Sequence, residues 1–260
     1  KNIKTITPNG LDISFFPSSG SEAVEGCLKM AYKYCNPNYK NPKRNVVLHA
    51  KESFHGKLLG AGSITGSPEL NYIFPGPFLK DSFRRNNIKD FYSLIDKYSS
   101  NNKTKIFAII YEPFSASLCD ESPAEFLKKL RVISKKYDIP LIFDEVYTGL
   151  FKTGELFNFM RTNIVPDLVT FAKSFGGGKS SIAGYIANKN IFNKSYGSSK
   201  YATLHSTTYA GLGEEAATAI KSIEIAIKDD YQSKSKDIGE KLKKILQNIN
   251  NHSKIIKNIS

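Results

Sequence analysis

Three nearly all-apolar segments of the chain end in side chains that can exchange protons or attack an electrophile. The segments are "TKIFAIIYEP", "IPLIFDE" and "PDLVTFAK". The reactive residues at their ends are Glu112, Asp144, Glu145 and Lys173. Short apolar runs of this kind are typical of buried strands, and ligands collect at the carboxyl ends of strands in open α/β sheets. We therefore expect carboxylates and one lysine to meet at one edge of a sheet.

A helix start adds a place for an anion. In "SSGSEAVEGCLKMAYKYC", Ser19 is predicted to cap a helix, and Glu22, three residues further on, completes a capping box. The free backbone amides at the start of a helix attract anions such as phosphate. The predicted site thus combines an anion, a carboxylate and a lysine.

The glycine-rich stretch "VTFAKSFGGGKSS" raises the alternative of a nucleotide-binding P-loop. A P-loop requires a glycine five residues before its Gly-Lys pair, and that position is occupied by Lys173. The loop should also open a helix, whereas "SSIAGYIANK" predicts a strand. We therefore interpret Lys179 as a solvated loop lysine and Lys173 as the reactive residue.

One cofactor needs all three groups of the predicted site. Pyridoxal 5'-phosphate (PLP) has a phosphate for the helix start and an aldehyde that forms a Schiff base with a lysine amine. Its ring nitrogen stays protonated when a carboxylate lies against it, and the protonated ring then acts as an electron sink. The residues therefore predict PLP as cofactor, and they predict no metal site.

Apolar strands alternate with amphipathic helices along the chain. Strands are predicted at "NVVLHA", at the three segments above and at "IAGYIA"; helices are predicted at the capping box, around 88–99, at "SPAEFLKKLRVISKKYD" and at "GLGEEAATAIKSIEIAIKD". In the third of these helices Ser122 is the predicted cap and Pro123 the first helical residue. This alternation predicts an α/β fold with a mostly parallel central sheet flanked by helices on both faces.

Composition narrows the class of protein. The 260 residues carry a net charge of +13, but the lysines are scattered and match no nucleic-acid recognition module. The densest lysine cluster lies in a C-terminal stretch, predicted to be an amphipathic helix with an inward face of Ile238, Leu242, Ile245 and Leu246. We expect neither a nucleic-acid partner nor a membrane span.

Cysteine usage and the first residues point to a cytoplasmic protein. The three cysteines, Cys27, Cys35 and Cys119, show no metal-ligand spacing, and a sparse odd number suits a reducing compartment. Cys27 and Cys35 are expected to be core thiols of a helix. The start, "KNIKTITPNG", shows no secretory signal.

Six segments in order resemble those of a known family. They are "SSGSEAVE", "SFHGK", "YEP", "IFDEVYTGLFKTG", "PDLVTFAKSFGGG" and "HSTTYAG". They resemble the motifs of the class III (ornithine/4-aminobutyrate type) aminotransferases, which are PLP enzymes of fold-type I, and they span residues 18 to 211. The resemblance implies the fold-type I large domain and an amino transfer between an amino compound and a keto acid or aldehyde.

The resemblance also implies roles for individual residues. Lys173 would form the Schiff base and move protons, and Asp144 would pair with the pyridine nitrogen. Gly20 and Ser21 would hold the phosphate, and Phe54 would stack on the ring. The other implied cofactor contacts are His55, Glu112, Tyr147 and Thr208, with Thr208 reaching the phosphate of a neighbouring subunit in a homodimer.

Some of these residues have other interpretations. Phe54 is equally compatible with a core position, His55 with a hydrogen-bonded loop histidine, and Glu145 with a structural salt bridge. Two positions depart from the family pattern: Tyr147 replaces a frequent Gln, and Ser117 replaces a Glu that in some members masks a substrate-binding Arg. The second change puts a glutamate-type amino donor in doubt.

The resemblance predicts two parts of the chain. Residues 1–225 would form the PLP-binding large domain, and residues 226–260 a helix that leads towards a small C-terminal domain outside this sequence. On the same scaffold an aminomutase, a decarboxylase or an epimerase remains an alternative, as does a non-catalytic relic or binding module.

Overall fold

The computed structural model describes residues 6–38, 40–66 and 76–253. The strands are β1 (Ile13–Phe15), β2 (Val46–Ala50), β3 (Leu79–Phe83), β4 (Ser99–Ser100), β5 (Lys103–Thr104), β6 (Ile106–Tyr111), β7 (Phe114–Ser115), β8 (Asp120–Glu121), β9 (Leu141–Asp144), β10 (Leu168–Phe171) and β11 (Gly184–Ala187). The α-helices are α1 (Gly20–Cys35), α2 (Leu59–Ser63), α3 (Ile88–Tyr98), α4 (Ala124–Lys136), α5 (Lys189–Tyr196), α6 (Gly213–Lys228) and α7 (Tyr231–Ser253). Short 3-10 helices cover Asn158–Arg161 and Lys173–Gly176.

Seven strands form the central sheet, in the order β1-β11-β10-β9-β6-β2-β3. The five strands from β10 to β3 are parallel, and β11 runs antiparallel to both of its neighbours. The remaining short strands form two hairpins, β4-β5 and β7-β8. The predicted mostly parallel α/β sheet is thereby confirmed.

Helices cover both faces of the sheet. Alternate residues of β6 point to opposite faces, so Ile109 joins the core that contains α3, α4 and α6, whereas Ile110 joins the core that contains α1, α2 and α5. Because both faces are buried, β6 and β9 are completely buried along their length. Their carboxyl ends therefore emerge together at one edge of the sheet.

The predicted capping box at the start of α1 is confirmed. The Ser19 hydroxyl accepts a bond from the Glu22 amide at 3.3 Å, and the Glu22 carboxylate accepts one from the Ser19 amide at 2.8 Å. Downstream, Cys27 is fully buried, with its thiol pKa raised by burial, and Cys35 is partly buried. The predicted core position is therefore complete for Cys27 and partial for Cys35.

The prediction for the start of α4 was wrong. Pro123, not Ser122, is the capping residue, and the helix begins at Ala124 without a side-chain cap. The Ser122 hydroxyl instead bonds the Tyr111 hydroxyl at 2.8 Å. Ser122 therefore bonds the buried Tyr111, which is distant in the sequence, and not the backbone amides at the start of its own helix.

The prediction for the C-terminal helix was also wrong. Its side chains do not face a core: Ile238 is 65% exposed, Leu242 52% and Ile245 56%, while Leu246 is only partly buried. The helix period identifies an apolar stripe, but not what the stripe packs against.

The predicted boundary between a large domain of residues 1–225 and a helix of residues 226–260 stays a prediction. Residue 225 lies inside α6.

Within the three described ranges, no helix is long and apolar enough to cross a membrane.

Candidate active site

The carboxyl ends of β9 and β10 open into one cavity of about 380 Å³. Asp144 is the last residue of β9, and Lys173 follows β10 after one residue. Most of the predicted site residues line this cavity: Gly20, Ser21, Phe54, His55, Glu112, Asp144, Tyr147 and Lys173. The fold thus brings together side chains that lie up to 153 positions apart in the sequence.

Three hydrogen bonds hold the Asp144 carboxylate in place. One oxygen accepts from the Thr170 hydroxyl at 2.9 Å and from the Val146 amide at 3.1 Å, and the other from His55 Nδ1 at 2.8 Å. Thr170 is the register partner of Asp144 on the neighbouring strand β10. Sequence reasoning missed Thr170; a threonine inside an apolar parallel strand was the available signal.

The second ring nitrogen of His55 is available. His55 is 2% exposed, and its Nε2 has no hydrogen-bond partner among the described residues. His55 is therefore a hydrogen-bonded histidine, which was one of the two interpretations of the sequence. Its partner is Asp144, the candidate catalytic aspartate.

The start of α1 presents backbone amides to the cavity. The first bond of this helix runs from the Ala23 amide to the Ser19 carbonyl, so the amides of Gly20 and Ser21 precede the helical ladder. Gly20 packs closely, since a Cβ there would lie 2.9 Å from Val146 Cγ1. An anion can approach these two amides from the cavity.

Gly56 packs against Ser21 at the same helix start. We expect Gly56→Ala to lower both the stability of the chain and its affinity for phosphate. Gly56 has a φ of +119°, and a Cβ there would overlap the Ser21 hydroxyl. Backbone strain of this kind costs about 1–3 kcal/mol, and a displaced Ser21 should weaken phosphate binding. Urea unfolding and inorganic phosphate titration would measure the two effects.

Gly10→Ala is the matched control for this variant. Gly10 also has a positive φ, +97°, but its nearest neighbour would lie 3.9 Å from the new Cβ. Equal phosphate affinity in both variants would show that the contact with Ser21 is unimportant.

The Lys173 amine lies beside an aromatic ring. Its Nζ is 5.1 Å from the centroid of the Tyr147 ring, and the Tyr147 ring stacks on Phe114 at 6.4 Å and 9°. The Lys173 backbone has a φ of +51°, which is uncommon for a residue with a side chain. Such backbone positions cluster at functional sites.

Glu112 closes the cavity from the end of β6. Its carboxylate accepts the Phe54 amide at 2.9 Å, and Phe54 itself is 42% exposed. Burial raises the pKa of Glu112, and the nearby Asp144 charge acts in the same direction. Glu112 thereby orients the segment that carries Phe54 and His55.

The salt-bridge interpretation of Glu145 was wrong. Among the described residues Glu145 forms no ion pair; it accepts the amides of Asn158 at 2.9 Å and Phe159 at 2.8 Å, and the Thr148 hydroxyl. Burial raises its pKa to about 7. It ties the loop after β9 to the 3-10 helix at Asn158–Arg161.

Comparison with known proteins identifies the family. The profile of the family "Aminotransferase class-III" matches residues 1–260. The chain belongs to the class-III aminotransferases. This family depends on PLP.

Individual relatives of this aminotransferase chain agree with that assignment. It is 28% identical to an adenosylmethionine-8-amino-7-oxononanoate aminotransferase of Buchnera aphidicola subsp. Schizaphis graminum, over 98% of this chain and 61% of the relative. It resembles the solved structure of a transaminase from the marine bacterium Virgibacillus with a TM-score of 0.85 and 27% identity, over 96% of this chain and 58% of the other. An ornithine aminotransferase from Toxoplasma gondii, at 19% identity and a TM-score of 0.81, shares the fold over 95% of this chain and 56% of the other. The chain thus spans about three fifths of the length of these relatives.

The cavity of this class-III aminotransferase chain fits PLP. Amides ahead of the helical ladder at Gly20 and Ser21 suit a phosphate, and the anchored Asp144 carboxylate suits a protonated ring nitrogen. The Lys173 amine lines the same cavity. The phosphate, the ring nitrogen and the aldehyde of the cofactor therefore each have a chemically matching partner on this chain.

Thr208 does not line this cavity. It is exposed, in a loop between α5 and α6. The loop contacts α1, where the Lys29 ammonium donates to the Leu204 carbonyl at 3.0 Å, and it contacts β1, where the ring centroids of His205 and Phe15 lie 4.7 Å apart. The role of Thr208 at a partner's phosphate stays a prediction.

The His205 contact should make stability depend on pH. Burial lowers the pKa of His205 to about 4, the Lys29 ammonium acts in the same direction, and Glu22 opposes both. An unperturbed histidine titrates near 6.5, so between these pH values the unfolded chain holds a proton that the folded chain lacks. The contribution of His205 to the free energy of unfolding is therefore present above pH 6.5 and is lost as the pH falls towards 4.

His205→Phe keeps an aromatic ring and removes the titration. We expect a shallower dependence of unfolding free energy on pH between about 4 and 6.5, measured by urea unfolding at several pH values. His252→Phe, on the exposed face of α7, is the control and should follow the parent chain. Parallel curves for the parent and His205→Phe would contradict the prediction.

Proposed function

We propose that this chain is the cofactor-binding core of a PLP-dependent aminotransferase that moves an amino group between an amino compound and a keto acid or aldehyde. One observation carries the proposal. Lys173, the anchored Asp144 and the amides of Gly20 and Ser21 all line one cavity at the carboxyl edge of a parallel sheet.

When bound, PLP supplies an aldehyde that accepts an amine and a ring that takes up electrons. The Gly20 and Ser21 amides would hold its phosphate, and Phe54 would pack on the ring. Asp144 would keep the ring nitrogen protonated, since an opposite charge favours the charged form. His55 and Thr170 hold Asp144 in position through the bonds described above.

Lys173 has two tasks in this proposal. Its amine would hold the aldehyde of the bound cofactor. Released by the substrate amine, the same Lys173 amine would move a proton at the substrate carbon that bears the amino group. The Tyr147 ring, 5.1 Å from its Nζ, limits the positions that this amine can take in the cavity.

We further propose that the working unit is a cytoplasmic homodimer. The exposure of Thr208 outside its own cavity supports this, as do two exposed apolar neighbours, Tyr209 at 62% and Leu212 at 43%. Thr208 would then reach the phosphate bound by the partner subunit. Sedimentation of the chain, with and without PLP, would measure the association.

The test of the proposed function is a spectrum followed by product analysis. The chain is incubated with PLP, and the absorption band of lysine-bound cofactor is recorded before and after borohydride, beside Lys173→Ala. A reducible band that the variant lacks, followed by conversion of an amine donor and keto acceptor to the exchanged carbonyl and amine, supports the proposal. Release of carbon dioxide, or a racemised or isomerised donor without exchange, would replace it by a decarboxylase, epimerase or aminomutase.

A further inference from the structure

Two lysines share the ring of Tyr147. The Lys173 Nζ lies 5.1 Å from the ring centroid, and the Lys152 Nζ lies 4.7 Å from the same centroid. An ammonium group within about 6 Å of an aromatic centroid is attracted to the ring. The candidate catalytic lysine and a second lysine are thus coupled through one side chain.

Lys152 also binds the backbone of the residue whose ring it contacts. Its ammonium donates to the Tyr147 carbonyl at 2.7 Å, a charge-assisted bond of the stronger kind. Burial lowers the pKa of Lys152, and Lys173 acts in the same direction, so the two cations sense each other. With the Phe114 ring stacked nearly parallel, the Tyr147 ring has contacts with three side chains.

Lys152 has no direct access to the candidate active site. Tyr147 and Lys173 line the cavity of about 380 Å³, whereas Lys152 and Phe114 line a neighbouring cavity of about 740 Å³. Tyr147 thus links Lys152 to the cavity that Lys173 lines. Besides the charge that it presents to Lys173, Lys152 can act on the chemistry through the position of the Tyr147 ring.

We propose that Lys152 is a positioning residue of this site: it holds the Tyr147 ring against Lys173 and thereby sets the direction in which the Lys173 amine meets the substrate carbon. The effect on turnover rests on the proposed aminotransferase function. The contact by which Lys152 holds the Tyr147 ring, called here the clamp, does not depend on that function. The clamp and the turnover are therefore measured separately.

The clamp is measured without cofactor. The chain has no tryptophan, so Tyr147→Trp introduces a single indole at the position of interest, and indole is the best ring for contact with a cation. Acrylamide quenching of this indole is compared in three backgrounds: Lys152, Lys152→Met and Lys152→Arg. We expect Met, which has no charge or donor, to raise the quenching constant, and Arg to leave it at the parental value.

The consequence is measured on the PLP-loaded chain with Tyr147 intact. Loss of a charge-assisted bond and a cation–ring contact should lower kcat of Lys152→Met by about tenfold, with KM within about twofold. Lys152→Arg should recover the parental kcat. Lys128→Met, an exposed lysine of α4, is the control for general loss of a surface charge.

Two results would overturn the proposal. One is equal quenching in the Met and Arg backgrounds, which would show that Lys152 does not hold residue 147. The other is an equal kcat in Lys152→Met and Lys152→Arg despite unequal quenching. If the parent chain shows no amino exchange at all, the proposed function fails, while the quenching comparison still decides whether Lys152 is a clamp.

Discussion

Lys173→Ala is expected to lower kcat by at least about 1,000-fold, because in the proposed mechanism one amine would serve both the covalent step and the proton transfer. The side chain lies in the cavity, not in the core, so its loss should leave the fold intact. The variant should still bind PLP through the amides at the start of α1, and circular dichroism should match the parent. Turnover with a donor and acceptor pair measures the effect.

The matched control is Lys179→Ala. Lys179 lies in the same glycine-rich loop, six residues further on, but does not line the cavity. It should retain parental activity. If Lys173→Ala turned over within tenfold of Lys179→Ala, the assignment of the reactive lysine would be wrong.

Asp144→Asn is expected to lower kcat by about 100-fold or more, because the proposed ring nitrogen would lose the charge that keeps it protonated and the ring would take up electrons less readily. Asparagine can keep an oxygen towards Thr170 and Val146, which preserves two of the three bonds that hold Asp144. Its amide would face His55 Nδ1 without a negative charge. Geometry is thereby largely retained while the partner of the ring nitrogen is lost.

Thr170→Val tests the same carboxylate without removing it. The substitution deletes one hydroxyl donor to Asp144 and keeps the shape of the side chain, so kcat should fall by about tenfold or less. Steady-state kinetics of both variants over a range of pH would measure the difference. Equal activity of Asp144→Asn and the parent would exclude Asp144 as the electrostatic partner.

Features set by neighbours in the sequence were predictable. The capping box of Ser19 and Glu22 needs only three-residue spacing. The strand end at Asp144, and the place of Lys173 two residues after the end of β10, needed only the apolar runs before them. The six motifs in order then indicated the family, which the family profile confirms over the whole chain.

Features that depend on residues distant in the sequence could not be predicted. Thr170 bonds Asp144 because β9 and β10 are adjacent in the sheet, and Ser122 leaves its helix because Tyr111 is nearby. The strand β3 was missed because it lies at the sheet edge, where its sequence "LKDSF" is mostly not buried. In α7 the apolar period was real, but Ile238 and its neighbours found no core.

The pairing of Thr170 with Asp144 makes cofactor affinity a measure of strand register. In parallel strands a shift of one residue moves every side chain of a strand to the other face, and a chain with β9 slipped against β10 would lose both the Thr170 bond and the aspartate in the cavity. PLP would therefore bind the correctly registered chain and not the slipped one, and a ligand selective for one state adds to its stability in proportion to the logarithm of ligand concentration over Kd. The cofactor would then shift the population of chains towards the correctly registered sheet before any substrate is present.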